Sequence, residues 1–200
     1  MAAPNTVEFY GKSDYDNPVK TAQLGEVEHE KLGTGYLSCK LGDGTKLVVW
    51  NHSDSSDSKE LTSDQTNFPK DKSVQCYQVI QGTSSVVGVR FKDTTGAENG
   101  HYSLLMKLAK IGDVTIMSNM SDEYTIAGVV PRDGTLVTTA LYVRDKVSGA
   151  YVATGSIYFK WDNDQQKVVV VEQEGWPKKQ LKQEDDGKDN FTITLFSTKE

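Results

Sequence analysis

The chain has 200 residues, 22 Lys plus Arg against 28 Asp plus Glu, and a formal net charge of −6. That length holds one large domain or two small ones, and the acidic balance argues against a nucleic-acid partner. Hydrophobic residues make up 36% of the sequence, enough for a packed core, yet the longest aliphatic runs, Leu47–Trp50 and Val168–Val171, are far too short for a membrane helix.

Val, Thr, Tyr and Ile are frequent and 17 Gly supply turns, so the composition favours strands. Taken in chain order, strand-like runs fall at 6–11, 19–24, 35–41, 45–51, 73–80, 85–92, 101–109, 113–119, 136–144, 151–161, 167–173 and 189–196. The run from Tyr102 to Lys110 has some helical character, but the bounding Gly100 and Gly112 favour a strand. Gly42-Asp43-Gly44 reads as a tight hairpin turn. Ser148-Gly149 and Asp162-Asn163-Asp164 join three runs into a meander in which Ala153, Gly155, Ile157, Phe159 and Trp161 share one face.

The stretch Gln81-Gly82-Thr83-Ser84-Ser85 is small, polar and flexible. It divides the chain into a first domain at residues 1–82, a linker at 83–86 and a second domain at 87–200, close in size to an immunoglobulin-like sandwich. The expected fold class is all-β, with two β-sandwich domains. Short, turn-separated strands without intervening helices fit sandwiches better than a parallel sheet.

Motifs for chemistry are few. His29, His52 and His101 are scattered, and no Gly-x-Ser-x-Gly, HExxH, phosphate loop or CxxC appears, so an enzyme is not expected. A Cys39/His52 nucleophile pair is outweighed by the reading of Cys39 as a small core residue. The two cysteines, Cys39 and Cys76, exclude a disulfide scaffold and a cysteine-rich zinc site; a bridge between them is the lesser reading. The N-terminus lacks a basic and apolar leader, so synthesis in the cytosol is expected and the sequons at Asn51, Asn119 and Asn190 are read as chance.

Several stretches together carry a family resemblance: Val7-Glu8-Phe9-Tyr10-Gly11-Lys12, Gly35-Tyr36-Leu37-Ser38-Cys39, Val49-Trp50-Asn51-His52, Tyr77 to Gly82, Thr154 to Lys160, Trp176-Pro177-Lys178-Lys179 and Asp185-Asp186. In these the chain resembles the calcium-dependent cell-adhesion molecules of social amoebae, nearly end to end but weakly between about residues 90 and 145. The resemblance implies a βγ-crystallin-like N-terminal domain and an immunoglobulin-like C-terminal one. It also implies calcium binding, homophilic cell–cell adhesion and export to the cell surface through the contractile vacuole without a signal peptide.

Calcium takes six to eight oxygen ligands. In βγ-crystallin-like domains a loop with two Asn/Asp residues before a Ser/Thr-Ser pair meets an acidic hairpin of the paired motif. Here Ser38 matches the final serine of the first loop, but the Asn/Asp positions fall on Gly33 and Thr34. The second loop keeps Asn67, with Pro69 and Lys70 where hydroxyls belong. The hairpins keep Asp14, Asp16 and Asn17 in one loop and Asp54, Ser55 and Asp57 in the other. The expected Ca2+ ligands are therefore Asp14, Asp16, Asn17, Ser38, Asp54, Asp57 and Asn67. Asp122 with Glu123, Asp162 with Asp164, and Asp185 with Asp186 are further acidic clusters, each equally readable as turn capping.

The expected partners are a second copy or a related adhesion protein, plus a surface molecule that anchors a chain with no transmembrane segment or lipidation motif. Lys178-Lys179 is thin evidence for direct membrane contact and reads better as a solvated turn. The alternative is a carbohydrate-binding module. Trp50 and Trp161 read as core anchors, which leaves Trp176, between Gly175 and Pro177, as the one exposed tryptophan for a sugar.

Overall fold

The computed structural model describes residues 2–12, 15–28, 32, 35–50, 58–68, 76–108, 112–119, 122–177 and 180–197. All regular structure among them is strand. The chain divides into two compact units, Met1–Ser84 and Ser85–Glu200.

The first unit has two sheets, with strand orders β2-β1-β4 and β3-β7-β5-β6. Its strands are β1 (Thr6–Tyr10), β2 (Pro18–Gln23), β3 (Val27–Glu28), β4 (Ser38–Leu41), β5 (Thr45–Trp50), β6 (Lys59–Leu61) and β7 (Cys76–Gln81). Alternate residues of β1, β5 and β7 point inward: Val7 and Phe9, Leu47 and Val49, Tyr77 and Val79 form the core with Cys39 and Phe68. Phe9 stacks on Tyr36 at 4.7 Å between ring centroids and lies 4.5 Å from the Tyr77 ring.

The Gly42-Asp43-Gly44 turn is not a hairpin. It joins β4 in one sheet to β5 in the other. Gly42 N–H bonds the Thr6 carbonyl, and a Cβ at Gly42 would stand 1.9 Å from the Ala3 carbonyl oxygen, so the N-terminal segment packs directly on this turn. The stretch read as a linker is also tighter than expected. β7 ends at Gln81 and β8 starts at Ser84, leaving Gly82-Thr83 as the turn, with Gly82 N–H bonded to the Gly44 carbonyl.

The second unit is a sandwich of a five-stranded sheet, β10-β9-β12-β13-β14, and a four-stranded one, β11-β8-β16-β15. The strands are β8 (Ser84–Asp93), β9 (Tyr102–Leu108), β10 (Gly112–Met117), β11 (Thr125–Pro131), β12 (Val137–Asp145), β13 (Tyr151–Asp162), β14 (Lys167–Glu174), β15 (Leu181–Gly187) and β16 (Asn190–Leu195). The meander β12-β13-β14 forms with the expected face inward: Ala153, Ile157, Phe159 and Trp161 are buried. First and last strands close the smaller sheet, because β16 runs parallel to β8 from Asn190↔Gly88 to Leu195↔Asp93. Gly88 is required at that pairing, since a Cβ there would lie 2.1 Å from Asn190 Oδ1.

Cys39 and Cys76 are buried and not bridged to each other. Cys39 is a core residue whose thiol burial pushes up to about 12, so it stays protonated and unreactive.

Candidate metal centre

The β1–β2 connection holds Asp16 and Asn17 in solvent, where β1 and β2 shift register at Phe9/Tyr10. Tyr15 and Asn17 both take left-handed backbone, φ 57° and 53°. Asn tolerates that conformation, and two such residues in three turn the loop back sharply. The Asn17 side-chain amide donates to Asp16 Oδ1 at 3.1 Å.

Ser38 is fully buried at the head of β4, and its hydroxyl donates to the Lys12 carbonyl at 2.5 Å. One residue earlier, Leu37 N–H bonds the Tyr10 carbonyl at 2.8 Å and the Leu37 carbonyl accepts from Phe68 N–H at 2.7 Å. Cys39 and Gln65 exchange both backbone bonds at 2.9 Å. Residues 37–39 therefore tie together the β1–β2 loop and the segment carrying exposed Asn67. The structure thus brings Asp16, Asn17, Ser38 and Asn67 onto three segments bonded through one short stretch of backbone. Asp14, Asp54 and Asp57 lie outside the described residues.

The donor chemistry is right for a hard cation: a carboxylate, two amides, a hydroxyl and nearby carbonyls. The number is short. Among the described residues no group of three or more His, Cys, Asp or Glu side chains could hold a metal. Asp64 Oδ1 accepts Leu41 N–H at 2.8 Å, so a cation using that oxygen would have to share it.

A charged network in the same unit gave no signal in the sequence. Lys20 Nζ pairs with Glu26 at 2.5 Å and Glu28 at 2.7 Å, and Glu28 Oε2 also accepts from Tyr77 at 2.9 Å and Tyr36 at 3.2 Å. Burial opposes ionisation of Glu28, but bonds from Lys20 and Tyr77 outweigh it and hold the carboxyl below its ordinary range. Burial, followed by the bond to Glu28, raises the Tyr77 hydroxyl. Glu28, at the centre of the network, sits in a two-residue strand too short to show a period.

Carboxylates of two of the second unit's acidic clusters are already engaged. Asp162 Oδ1 accepts Asp164 and Gln165 N–H at 2.9 and 3.0 Å. Asp185 pairs with Lys167 at 2.8 Å. Asp186 Oδ2 accepts from Tyr124 at 2.7 Å and from Thr192, while Arg90 lies 3.8 Å away and packs on the Tyr124 ring. The Asp122 carbonyl accepts from Arg90 at 3.4 Å.

Trp176 is a correction. It is 8% exposed, belongs to the core and donates its Nε1–H to the Leu181 carbonyl at 2.9 Å. The Gly-Trp-Pro context suggested a turn in solvent. The ring instead folds inward because its indole N–H finds a buried carbonyl. Trp50 and Trp161 are each 6% exposed. The carbohydrate reading thereby loses its tryptophan platform.

No helix among the described residues is long and apolar enough to cross a membrane. A family model described as membrane binding matches residues 87–196. Calcium-dependent cell adhesion molecule 1 of Dictyostelium discoideum is 22% identical over 213 residues, covering 98% of each chain. The crystal structure of Abundant Perithecial Protein from Neurospora crassa matches with TM-score 0.69 and 35% identity, covering 97% of this chain and 96% of that one. A βγ-crystallin domain of the same fungal protein, solved in the Ca2+-bound form, aligns with 41% of this chain at 20% identity and a TM-score of only 0.36. With more than half of its residues inside that family model and 35% identity to the perithecial protein almost end to end, the chain belongs to the membrane-binding family and is a relative of Abundant Perithecial Protein.

Proposed function

We propose that this protein is a calcium-assisted cell–cell adhesion protein that works at the membrane surface through contact with a second copy or a related adhesion protein. The observation that carries the reading is the alignment with a calcium-dependent cell adhesion molecule over 98% of both chains, which takes in both units rather than one shared module. The Ca2+-bound form reported for the βγ-crystallin domain of the perithecial protein supports the cation. In this reading the N-terminal unit is βγ-crystallin-like, and Asp14, Asp16, Asn17, Ser38, Asp54, Asp57 and Asn67 supply the calcium oxygens. The C-terminal unit, immunoglobulin-like in size and two-sheet layering, lies against the membrane or its anchoring molecule. The role is non-enzymatic. The protein reaches the cell surface by unconventional export.

Sedimentation velocity of the full chain in calcium and in chelator tests the reading. Self-association that appears with calcium, and that Asp16→Ala with Asn17→Ala abolishes, is the expected result. A monomer in both buffers at high concentration, with no calcium uptake at millimolar levels by isothermal titration, overturns it.

A further inference from the structure

Exposed apolar side chains of the second unit are unevenly placed. Among the described residues the large ones are Leu136, Val147, Tyr151, Val152, Val171 and Phe196. Four of these, Val147, Tyr151, Val152 and Phe196, sit at one end of the sandwich. The register puts them together: β12 ends beside the start of β13 (Arg144↔Tyr151) and of β9 (Asp145↔Tyr102). β16 ends beside β8 (Leu195↔Asp93) and the start of β15 (Leu195↔Leu181). A cleft of about 430 Å³ at this end has Thr95, Ala97, Tyr102, Val152, Leu195 and Phe196 in its lining, so the two sheets contribute to one surface. A smaller cleft of about 270 Å³ beside it shares Val152 and Gln180.

The hairpin tip at this end is built to project an apolar residue between cations. Asp145 Oδ1 accepts Val147 and Ser148 N–H at 2.8 and 3.0 Å, and Gly149, with φ 74°, closes the turn through its N–H to the Asp145 carbonyl. Val147 is left 82% exposed, with exposed Arg144 and Lys146 on its flank. The one carboxylate among them is turned inward, Asp145 Oδ2 lying 3.4 Å from His101 Nε2. In a chain of net charge −6, the tip itself offers an apolar side chain with positive charge beside it, while exposed Glu98 lies in the β8–β9 connection whose Thr95 and Ala97 line the cleft.

We propose that this end of the C-terminal sandwich is a lipid-docking surface, with Val147, Tyr151, Val152 and Phe196 entering the headgroup region of an anionic bilayer while Arg144 and Lys146 engage lipid phosphates. The inference rests on the reading that this unit binds membranes, and it adds which surface does so and which lipid it selects. Apolar tips with a basic fringe gain from both insertion and the surface potential, and Tyr favours the interface. A second copy fits less well. Four partly exposed side chains fall well short of the roughly 800 Å² per partner of a stable interface, and a two-fold contact would bring the cations of two tips together.

The test is co-sedimentation of the full chain with phosphatidylcholine vesicles, with and without phosphatidylserine, in calcium and in chelator. The wild-type chain is expected to prefer phosphatidylserine vesicles. Val147→Asp and the pair Tyr151→Ser/Phe196→Ser should each weaken that binding about tenfold or more, since burying one such side chain is worth about 1.5–3 kcal/mol. Val171→Asp, on β14 away from this end, should bind as wild type, and unchanged thermal unfolding of each variant shows that it folds. Binding by Val147→Asp and by the Tyr151/Phe196 pair equal to wild type overturns this surface while leaving the membrane reading intact. Equal wild-type binding to both vesicles overturns the choice of lipid. No wild-type binding to either vesicle overturns the membrane reading and this inference together. Self-association lost in Val147→Asp without vesicle binding assigns the surface to a second copy instead.

Discussion

Removing the Glu28 carboxylate probes the charged network of the first unit. Glu28 lies opposite Tyr77 in the β3–β7 pairing, and Tyr77 is fully buried with its hydroxyl on Glu28 Oε2. Glu28→Ala strands that phenol, which costs about 1–3 kcal/mol for an unpaired buried donor. The lost Lys20 contact adds less than about 1 kcal/mol, because both side chains are partly solvated and Lys20 retains Glu26. The expected total is about 2–3 kcal/mol. Tyr77→Phe keeps the ring against Phe9 and leaves Glu28 with its Lys20 and Tyr36 partners, so about 1 kcal/mol is expected. The double variant should fall short of the sum by about 1 kcal/mol or more. Hydrogen exchange at the amides of β5 and β7 reads the opening of this unit by itself, which global unfolding of a two-unit chain does not. Additivity within about 0.5 kcal/mol would refute the reasoning, since independent residues add and bonded ones do not.

The same network sets an acid limit. Because Glu28 is held below its ordinary range, its contribution is complete above the unfolded value of about 4.3 and is lost as pH falls through the lower folded value. Exchange-measured stability of the first unit should drop with acid over that window, and Glu28→Gln should flatten the drop. Asp16→Asn should weaken calcium uptake in isothermal titration by about tenfold or more if Asp16 is a ligand; unchanged uptake removes it from the site. Trp176→Phe should cost about 1–2 kcal/mol in urea unfolding of the second unit through the stranded Leu181 carbonyl, and an unchanged midpoint would place the indole outside the core. Gly88→Ala should destabilise by about 1–3 kcal/mol, as the Asn190 side chain must move from its place beside β8; a neutral effect would mean that this side chain turns aside at no cost.

Strand positions were legible where one face of a strand meets a core and the other meets solvent. β13 shows it best: Ala153, Ile157, Phe159 and Trp161 alternate with polar residues, and the register follows. Four strands gave no such pattern. β3 is two residues long, β6 is Lys-Glu-Leu, and β15, Leu-Lys-Gln-Glu-Asp-Asp-Gly, is a mostly exposed edge that relies on backbone pairing with β16. β11 buries Ile126, Ala127, Gly128 and Val130, so small residues on both faces hide its period. Sheet membership was less legible still. Nothing local in Gly42-Asp43-Gly44 says that the next strand joins a different sheet, and the segment packed on this turn, Ala3 and Thr6, lies nearly forty residues earlier.

Acidic residues pose a sharper ambiguity, since the same side chain caps a turn or binds a cation. The structure separates the two uses by where the carboxylate oxygens go. Asp133, Asp145, Asp162 and Asp185 each accept a backbone N–H two residues ahead, at 2.8–2.9 Å. Such bonds satisfy the carboxylate within its own turn and lower the pKa of Asp145 and Asp162, in each case with a backbone N–H as the leading cause. A cation must displace that N–H or share its oxygen. Among the described residues Asp16 accepts from the neighbouring Asn17 side-chain amide, a flexible donor that can rotate away without unfolding the turn. Asp16 thus offers a cation carboxylate oxygens that, among the described residues, no backbone N–H holds. The Ser38 bond to Lys12 fixes the base of the β1–β2 loop to β4, so its rigidity is borrowed from the core rather than from its own hydrogen bonds. Sequence shows the acids but not which N–H groups reach them, and that is why spacing alone ranks all of these clusters alike.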